Sequence, residues 1–407
     1  MIPDDLAHLP FGQRLQRIRE RKGKTRPVVA GLVGRSTEWL KAVERGSIQQ
    51  PRLEMMLKLA EALELRDLAD LIGEQQIPMT LGRRAGHPAV PAIREALRDY
   101  TLTTSNVPPA VSDLRTRLAD AWRVWHTSRT QRTDVGRILP GLLRDTQAAT
   151  RLHDGRDRRT AHVVLSEVYA LAEQMLSWVC EPQLLWMVAD RAMWSAREAD
   201  DPQAIALAAW VLGNVLRATG EEEHALELAR DAAGMLTPRL ETGTDDHQAL
   251  WGALQLHAAI TSARMGHEGE ALRYLDEGLS TARRLPGGYA HTATVFGVAN
   301  AELHGLSVRV DLYKTRDALR QAQGIDPQEV PSVDRQSRLW LEMARSYHQE
   351  NDHVAALGAL SRCFDTSPDA AQCHPLARSI AGDLVDHGGR LIERDARTLA
   401  ERLGVVV

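Results

Sequence analysis

Along almost its whole length the chain repeats apolar residues at intervals of three and four, and no run alternates apolar and polar residues long enough to make a useful strand. A sequence with that single period buries its apolar stripes by packing helix on helix, so the expected fold is all-α. At 407 residues it is longer than one hydrophobic core usually serves, which predicts a small head and a long body. Glycine and proline mark three zones. Residues 1–73 carry short helical patterns from Phe11 onward, broken at Gly23, Gly34, Gly46 and Pro51. Residues 74–91 contain Pro78, Gly82, Gly86, Pro88 and Pro91 without an apolar period and read as a linker. Residues 92–407 form a train of amphipathic helices interrupted at Asp200-Asp201-Pro202, Thr219-Gly220 and Pro286-Gly287-Gly288.

Charge is unevenly spread. Between Phe11 and Lys58 twelve Lys and Arg stand against four Asp and Glu, a net of +8 in a chain whose total is −4. A short basic segment of this kind is the electrostatic footprint of a phosphate-binding module, although a solvated basic face has the same composition. Only Lys22, Lys24, Lys41, Lys58 and Lys314 are lysines among the 50 basic residues. The skew toward arginine, with abundant alanine, points to a GC-rich bacterial genome. No stretch approaches the roughly 18 uninterrupted apolar residues of a membrane span. The beginning, MIPDDLAHLP, has acidic residues where a secretion signal needs positive charge, and it lacks an apolar segment. The expectation is a soluble cytoplasmic protein with no membrane partner. Cys180, Cys363 and Cys373 form no C-x-x-C pair, so buried apolar thiols are expected rather than a disulfide framework or a zinc finger.

Within the basic segment, Thr25 is placed to cap a helix whose first turn holds Pro27. Ala30 is small where two helices cross, and Gly34 stands at a turn that needs positive φ. Ser36 is placed to cap the next helix, which buries Leu40 and Val43 and ends at Gly46. Through these residues, with Arg19, Gly23, the Glu44-Arg45-Gly46 run, Pro51 and Leu59-Ala60, the segment resembles the XRE family of phage-repressor-like helix-turn-helix domains.

The resemblance implies a five-helix, lambda-repressor-like head that binds double-stranded DNA, its third helix in the major groove and its second across the backbone. The DNA contacts it implies are Ser36, Thr37, Glu38 and Lys41 on the third helix, Thr25 and Arg26 at the start of the second, and Arg35 in the turn. Arg45, Ser47, Gln49 and Arg52 follow in a loop laid along phosphates. Lys41 suits a guanine edge and Glu38 a cytosine amine, although residues three apart on a helix can instead pair with each other. Arg19 and Glu44 are implied as an internal ion pair bracing helix one on helix three. Two residues depart from the family pattern: Arg35 replaces a small apolar residue, and Trp39 is bulky for its place. Arg83 and Arg84 are either a solvated part of the linker or a minor-groove arm.

In the third zone the tetratricopeptide pattern, two helices in ~34 residues, finds one match through Ala209, Gly213, Gly220, Ala225, Ala229 and Ala232. A second runs through Trp340, Ala344, Asn351, Ala356, Leu360 and Cys363, and a weaker third through Ala258, Gly266, Ala271 and Leu275. Small residues at these positions let paired helices approach. Nine tryptophans stand against three phenylalanines, and seven of the nine lie between Trp122 and Trp251. A tryptophan-lined concavity suits an amphipathic ligand, and core packing accounts for the same residues. Trp186, Trp210 and Trp251, with the helical asparagines Asn214 and Asn300, are the ligand-binding candidates.

A helix-turn-helix head on a tetratricopeptide body resembles the peptide-sensing quorum regulators of Gram-positive bacteria and actinobacterial regulators of the same layout. That layout implies a homodimeric transcription regulator with a peptide or small-molecule effector. The alternative is an interaction scaffold tethered to DNA by its head; a sensor needs a closed cavity, a scaffold an open groove. No G-x-S-x-G, H-E-x-x-H or G-x-G-x-x-G motif is present, and Gly23-Lys24-Thr25 lacks the earlier glycine of a phosphate loop. Cys373-His374 is too close in sequence to converge on one metal ion. Neither enzyme activity nor a cofactor is expected.

Overall fold

In the computed structural model the described residues are 9–47, 51, 53–65, 71, 86–100 and 109–405. They hold twenty α-helices, two short 3-10 turns and no strand. The head contributes α1 (Phe11–Arg21), α2 (Arg26–Leu32), α3 (Thr37–Glu44) and α4 (Leu53–Ala62). The body begins with α5 (Val90–Leu97), α6 (Val111–Thr127), α7 (Gln131–Leu152), α8 (Gly155–Leu176), α9 (Pro182–Ala199) and α10 (Pro202–Thr219). It continues with α11 (Glu222–Leu236), α12 (Asp245–Met265), α13 (Glu268–Arg284), α14 (Val298–Asp311) and α15 (Thr315–Ala322). It ends with α16 (Val333–Gln349), α17 (His353–Thr366), α18 (Pro368–Cys373), α19 (Pro375–His387) and α20 (Glu393–Arg402).

The apolar positions of the four head helices meet in one core around Leu15, Val29, Leu40 and Leu59, all fully buried. α1 crosses α3 so closely at Gly12 that a Cβ there would lie 2.1 Å from the Val43 carbonyl oxygen. Ser36 caps α3, its Oγ accepting from the Trp39 amide at 3.1 Å. Thr25 stands before α2 with extended backbone but makes no side-chain capping bond, so α2 begins without the cap that its sequence offers. Pro27 in the first turn has no amide hydrogen to leave unpaired. Of the expected fifth helix only Leu71, buried in the same core, is described. Gln49, Arg52, Arg83 and Arg84 lie outside the described residues, as does the expected linker up to residue 85.

Residues 86–91 pack with the body. His87 Nε2 lies 3.4 Å from Thr133 Oγ1, Ala89 abuts Gly136, and α5 starts at Val90. From there each helix packs mainly on its sequence neighbours, the arrangement of an α-solenoid. One core runs from α5 to α14, a second spans α16 to α20, and a small one joins α14, α15 and α16. The three sequence matches fall on the hairpins α10–α11, α12–α13 and α16–α17. Ala225, Ala271 and Ala356 are buried at the crossings. The turns are Gly220 (φ 86°), Gly266 (φ 81°) and Asn351 (φ 61°), left-handed positions that glycine and asparagine occupy at least cost.

The solenoid curves back on itself. Ser367 Oγ donates to the Arg129 carbonyl at 3.1 Å, and the Thr133 amide donates to Asp369 Oδ2 at 3.0 Å, across more than 230 residues of chain. His126 bridges the same seam, with Nδ1 3.1 Å from Ser332 Oγ and Nε2 2.8 Å from the Thr292 carbonyl. The late helices α16 and α18 therefore rest on the early helices α6 and α7, and the loop of helices surrounds an interior cavity.

Candidate nucleic-acid interface and interior cavity

The start of α2 and the exposed face of α3 border one shallow concavity on the head. Thr25, Arg26, Thr37, Glu38 and Lys41 line it together with Lys24. Ser36 and Arg45 are exposed beside it, and Ser47 is half-buried in the loop that follows. Lys41 Nζ stands 3.4 Å from Glu38 Oε2, an exposed pair weak enough for a base edge to displace. Arg35 lies over the Trp39 ring, 5.9 Å from its centroid, and Trp39 is buried in the head core. The two departures thus form one unit: the indole fills core volume, and the guanidinium covers it.

Beneath this face Glu44 is fully buried and binds two arginines. Arg19 reaches both carboxylate oxygens, through Nε to Oε1 and through Nη2 to Oε2 at 3.0 Å, and Nη1 donates to the Lys24 carbonyl at 2.9 Å. The hydrogen bond to Glu44 raises the Arg19 pKa. Arg26 Nε donates to Glu44 Oε2 at 2.7 Å. Sequence reasoning treats Arg26 only as a DNA contact. In the fold it is also the second partner of Glu44, joining α2 to the pair that links α1 and α3.

The cavity inside the body measures about 240 Å³. Trp125, Trp178 and Trp210 form apolar walls, and charged residues from separate helices project between them. Arg217 of α10 is buried; its Nη2 donates to Asn214 Oδ1 at 2.6 Å and to His257 Nε2 at 3.2 Å. With Nε2 the acceptor, His257 keeps its proton on Nδ1. Burial, aided by Arg217, lowers its pKa and holds it neutral. The His257 ring stacks on Trp210 with centroids 5.0 Å apart. Glu173 of α8 accepts from Ser177 Oγ at 2.9 Å and from Asn214 Nδ2 at 3.5 Å, and burial pushes its carboxyl up to about 7. On the opposite side, Arg338 faces His374 Nε2 and pairs with Glu342 at 2.7 Å. His374 packs against Trp178, centroids 5.1 Å apart.

Residues 10–71 match the family described as a helix-turn-helix domain. The helix-turn-helix domain therefore comprises α1 to α4 and extends to Leu71. No curated protein matches the chain. Among solved structures, the chain is similar to a Rap protein complexed with competence and sporulation factor, at 10% identity and a TM-score of 0.46, covering 72% of this chain and 77% of that one. It is also similar to the apo form of ComR from S. thermophilus, at 12% identity and a TM-score of 0.28, covering 92% of this chain and 98% of that one.

Of the ligand candidates, Trp210 and Asn214 border the cavity. Trp186 and Trp251 pack half-buried against the main core, and Trp251 Nε1 donates to Thr237 Oγ1 at 3.2 Å. Asn300 is buried, its Nδ2 donating to the Thr294 carbonyl at 3.2 Å. None of these three lines the cavity. Sequence reasoning missed Arg132, Glu173, Arg217, His257 and Arg335, which do. A signal was available for two of them: Glu173 and Arg217 interrupt otherwise apolar helical stretches, where a charge has to find a purpose.

Proposed function

We propose that this protein is a bacterial, cytoplasmic transcription regulator of the XRE type, which binds operator DNA through its helix-turn-helix domain and an effector in the cavity of a tetratricopeptide-type body. On the head, the reading rests on one basic concavity that gathers Thr25, Arg26, Thr37, Glu38 and Lys41. Lys41 and Glu38 read base edges from α3, and Arg26, Arg35, Arg45 and Arg52 hold phosphates.

The tryptophan-walled cavity within the loop of helices is the single observation that carries the sensing role, because it gathers charged and aromatic side chains from distant helices around a space of small-molecule size. Effector binding changes the packing of helices around the cavity, and in a homodimer that alters the spacing of two heads. DNA half-sites must lie about 34–36 Å apart for both to dock, so a small rotation changes affinity. Peptides and small molecules are both effectors of this layout, and signalling between cells is the role that a peptide effector would serve.

Capture of sheared genomic DNA by the purified full chain, followed by sequencing, tests the reading. The expected result is a small set of enriched sites with two-fold symmetric half-sites. Uniform recovery of genomic DNA, unchanged in Lys41→Ala, would refute it.

A further inference from the structure

Three arginines of the cavity differ from every other arginine that lines it. Arg264 has Asp311 at 3.7 Å and Arg338 has Glu342 at 2.7 Å. Arg132, Arg217 and Arg335 have no carboxylate in ion-pair contact among the described residues. Arg132 is 4% exposed, and its Nε and Nη1 have no hydrogen-bond partner; the guanidinium lies 5.4 Å from the Trp125 ring centroid. Arg217 bonds to neutral groups only, Asn214, His257 and Thr261. Arg335, half-buried in the first turn of α16, shares the cavity with Asp334 and Glu173 as its acidic neighbours.

Positive charge therefore exceeds negative charge inside a space walled in part by tryptophan. Arginine cannot shed its proton to escape the cost of burial, and a desolvated cation without a counter-ion is among the least favourable groups a fold can hold. Glu173, kept partly protonated by burial, supplies less than a full compensating charge. A ligand that brings the missing anion relieves this cost as it binds. Guanidinium groups match the planar, two-oxygen edge of a carboxylate or phosphate, and the tryptophan walls match an apolar body. The volume of about 240 Å³ lies below the ~300–1,000 Å³ usual for ligand sites, which favours a compact molecule over an extended peptide.

Building on the effector reading above, we infer that the effector is a small amphipathic organic anion: an aromatic or acyl body bearing one carboxylate or phosphate. Its charge lies on Arg132, Arg217 and Arg335, and its body lies against Trp125 and Trp210.

Calorimetric titration of the full chain with 2-naphthoate, 1-naphthyl phosphate and the neutral 2-naphthamide tests this. At least one anion is expected to bind about tenfold or more tighter than the amide, and the tighter of the two names the anionic group. The preference should fall to about threefold or less in Arg335→Gln and persist in Arg335→Lys, which keeps the charge. Equal binding of amide and anions overturns the anion assignment while leaving an effector cavity in place. Binding of no probe up to millimolar concentration overturns the cavity reading and this inference together.

Discussion

The head and the body both bury arginine, and they treat it in opposite ways. In the head, Arg19 and Arg26 converge on Glu44, whose two oxygens are fully engaged, and the cluster joins α1, α2 and α3. In the body, Arg217 faces an amide and a neutral imidazole, and Arg132 leaves two nitrogens without partners. A carboxylate fully engaged by arginines stabilises one arrangement of helices, and only the part-exposed Arg26 keeps donors for a phosphate. An open cluster raises the energy of the empty state and so has something to gain from one. Buried charge alone does not identify a site; the completeness of its compensation does.

The largest effect should come from breaking the closed cluster. Glu44→Ala leaves buried Arg19 with only the exposed Glu20 at 3.6 Å and should destabilise the head by about 3–5 kcal/mol, with DNA binding lost on cognate and random sequences alike. Amide hydrogen exchange of α1 to α3 in the full chain measures it.

Glu173 comes next. Folded Glu173 keeps its proton to about pH 7, whereas the unfolded chain releases it near 4.5. The unfolded state then holds fewer protons than the native one, so stability falls as pH rises across that window. Above neutral pH Glu173→Gln should stabilise the body by about 3 kcal/mol, the gain vanishing below pH 4.5. A gain independent of pH would remove the buried carboxyl from the account.

On the proposed DNA face, Lys41→Ala should relax preference at one base pair by about 1–3 kcal/mol, while Arg26→Ala should weaken all sequences and lower the salt slope. Because Arg26 also binds Glu44, its variant should lose some stability that Lys41→Ala does not. The smallest effect sharpens the comparison: Arg335→Gln breaks no pair and removes an uncompensated, half-buried cation, so it should leave the stability of the empty body unchanged or raise it by about 0.5 kcal/mol. A loss as large as that of Glu44→Ala would erase the distinction between the two clusters.

What could be read before the structure was local. Ser36, Pro27 and Gly34 act on residues one turn away, so the order of α1, α2 and α3 follows from their spacing. The hairpin matches likewise depend on small residues within one helix pair. The cavity depends on closure: Trp125 and His374 border it from positions 249 residues apart, and no single helix pattern carries that distance. Residue type alone therefore selected Trp186, Trp251 and Asn300, which pack elsewhere, alongside Trp210 and Asn214, which line it. His374, set aside in the sequence as a metal partner of Cys373, faces Arg338. The second partner of Glu44 was hidden for the same reason, since Arg26 and Glu44 meet only once α2 has crossed α3.

The most direct test of a DNA-binding head governed by an interior cavity is titration of a captured operator with the full chain, with and without the low-molecular-mass fraction of a cell extract. Ala218→Phe, which fills the cavity from a half-buried position, serves as the control. Operator affinity of the unaltered chain should shift by about fivefold or more on addition of the fraction, and that of Ala218→Phe should not. Identical affinity with and without the fraction in the unaltered chain, or an equal shift in both proteins, would contradict it.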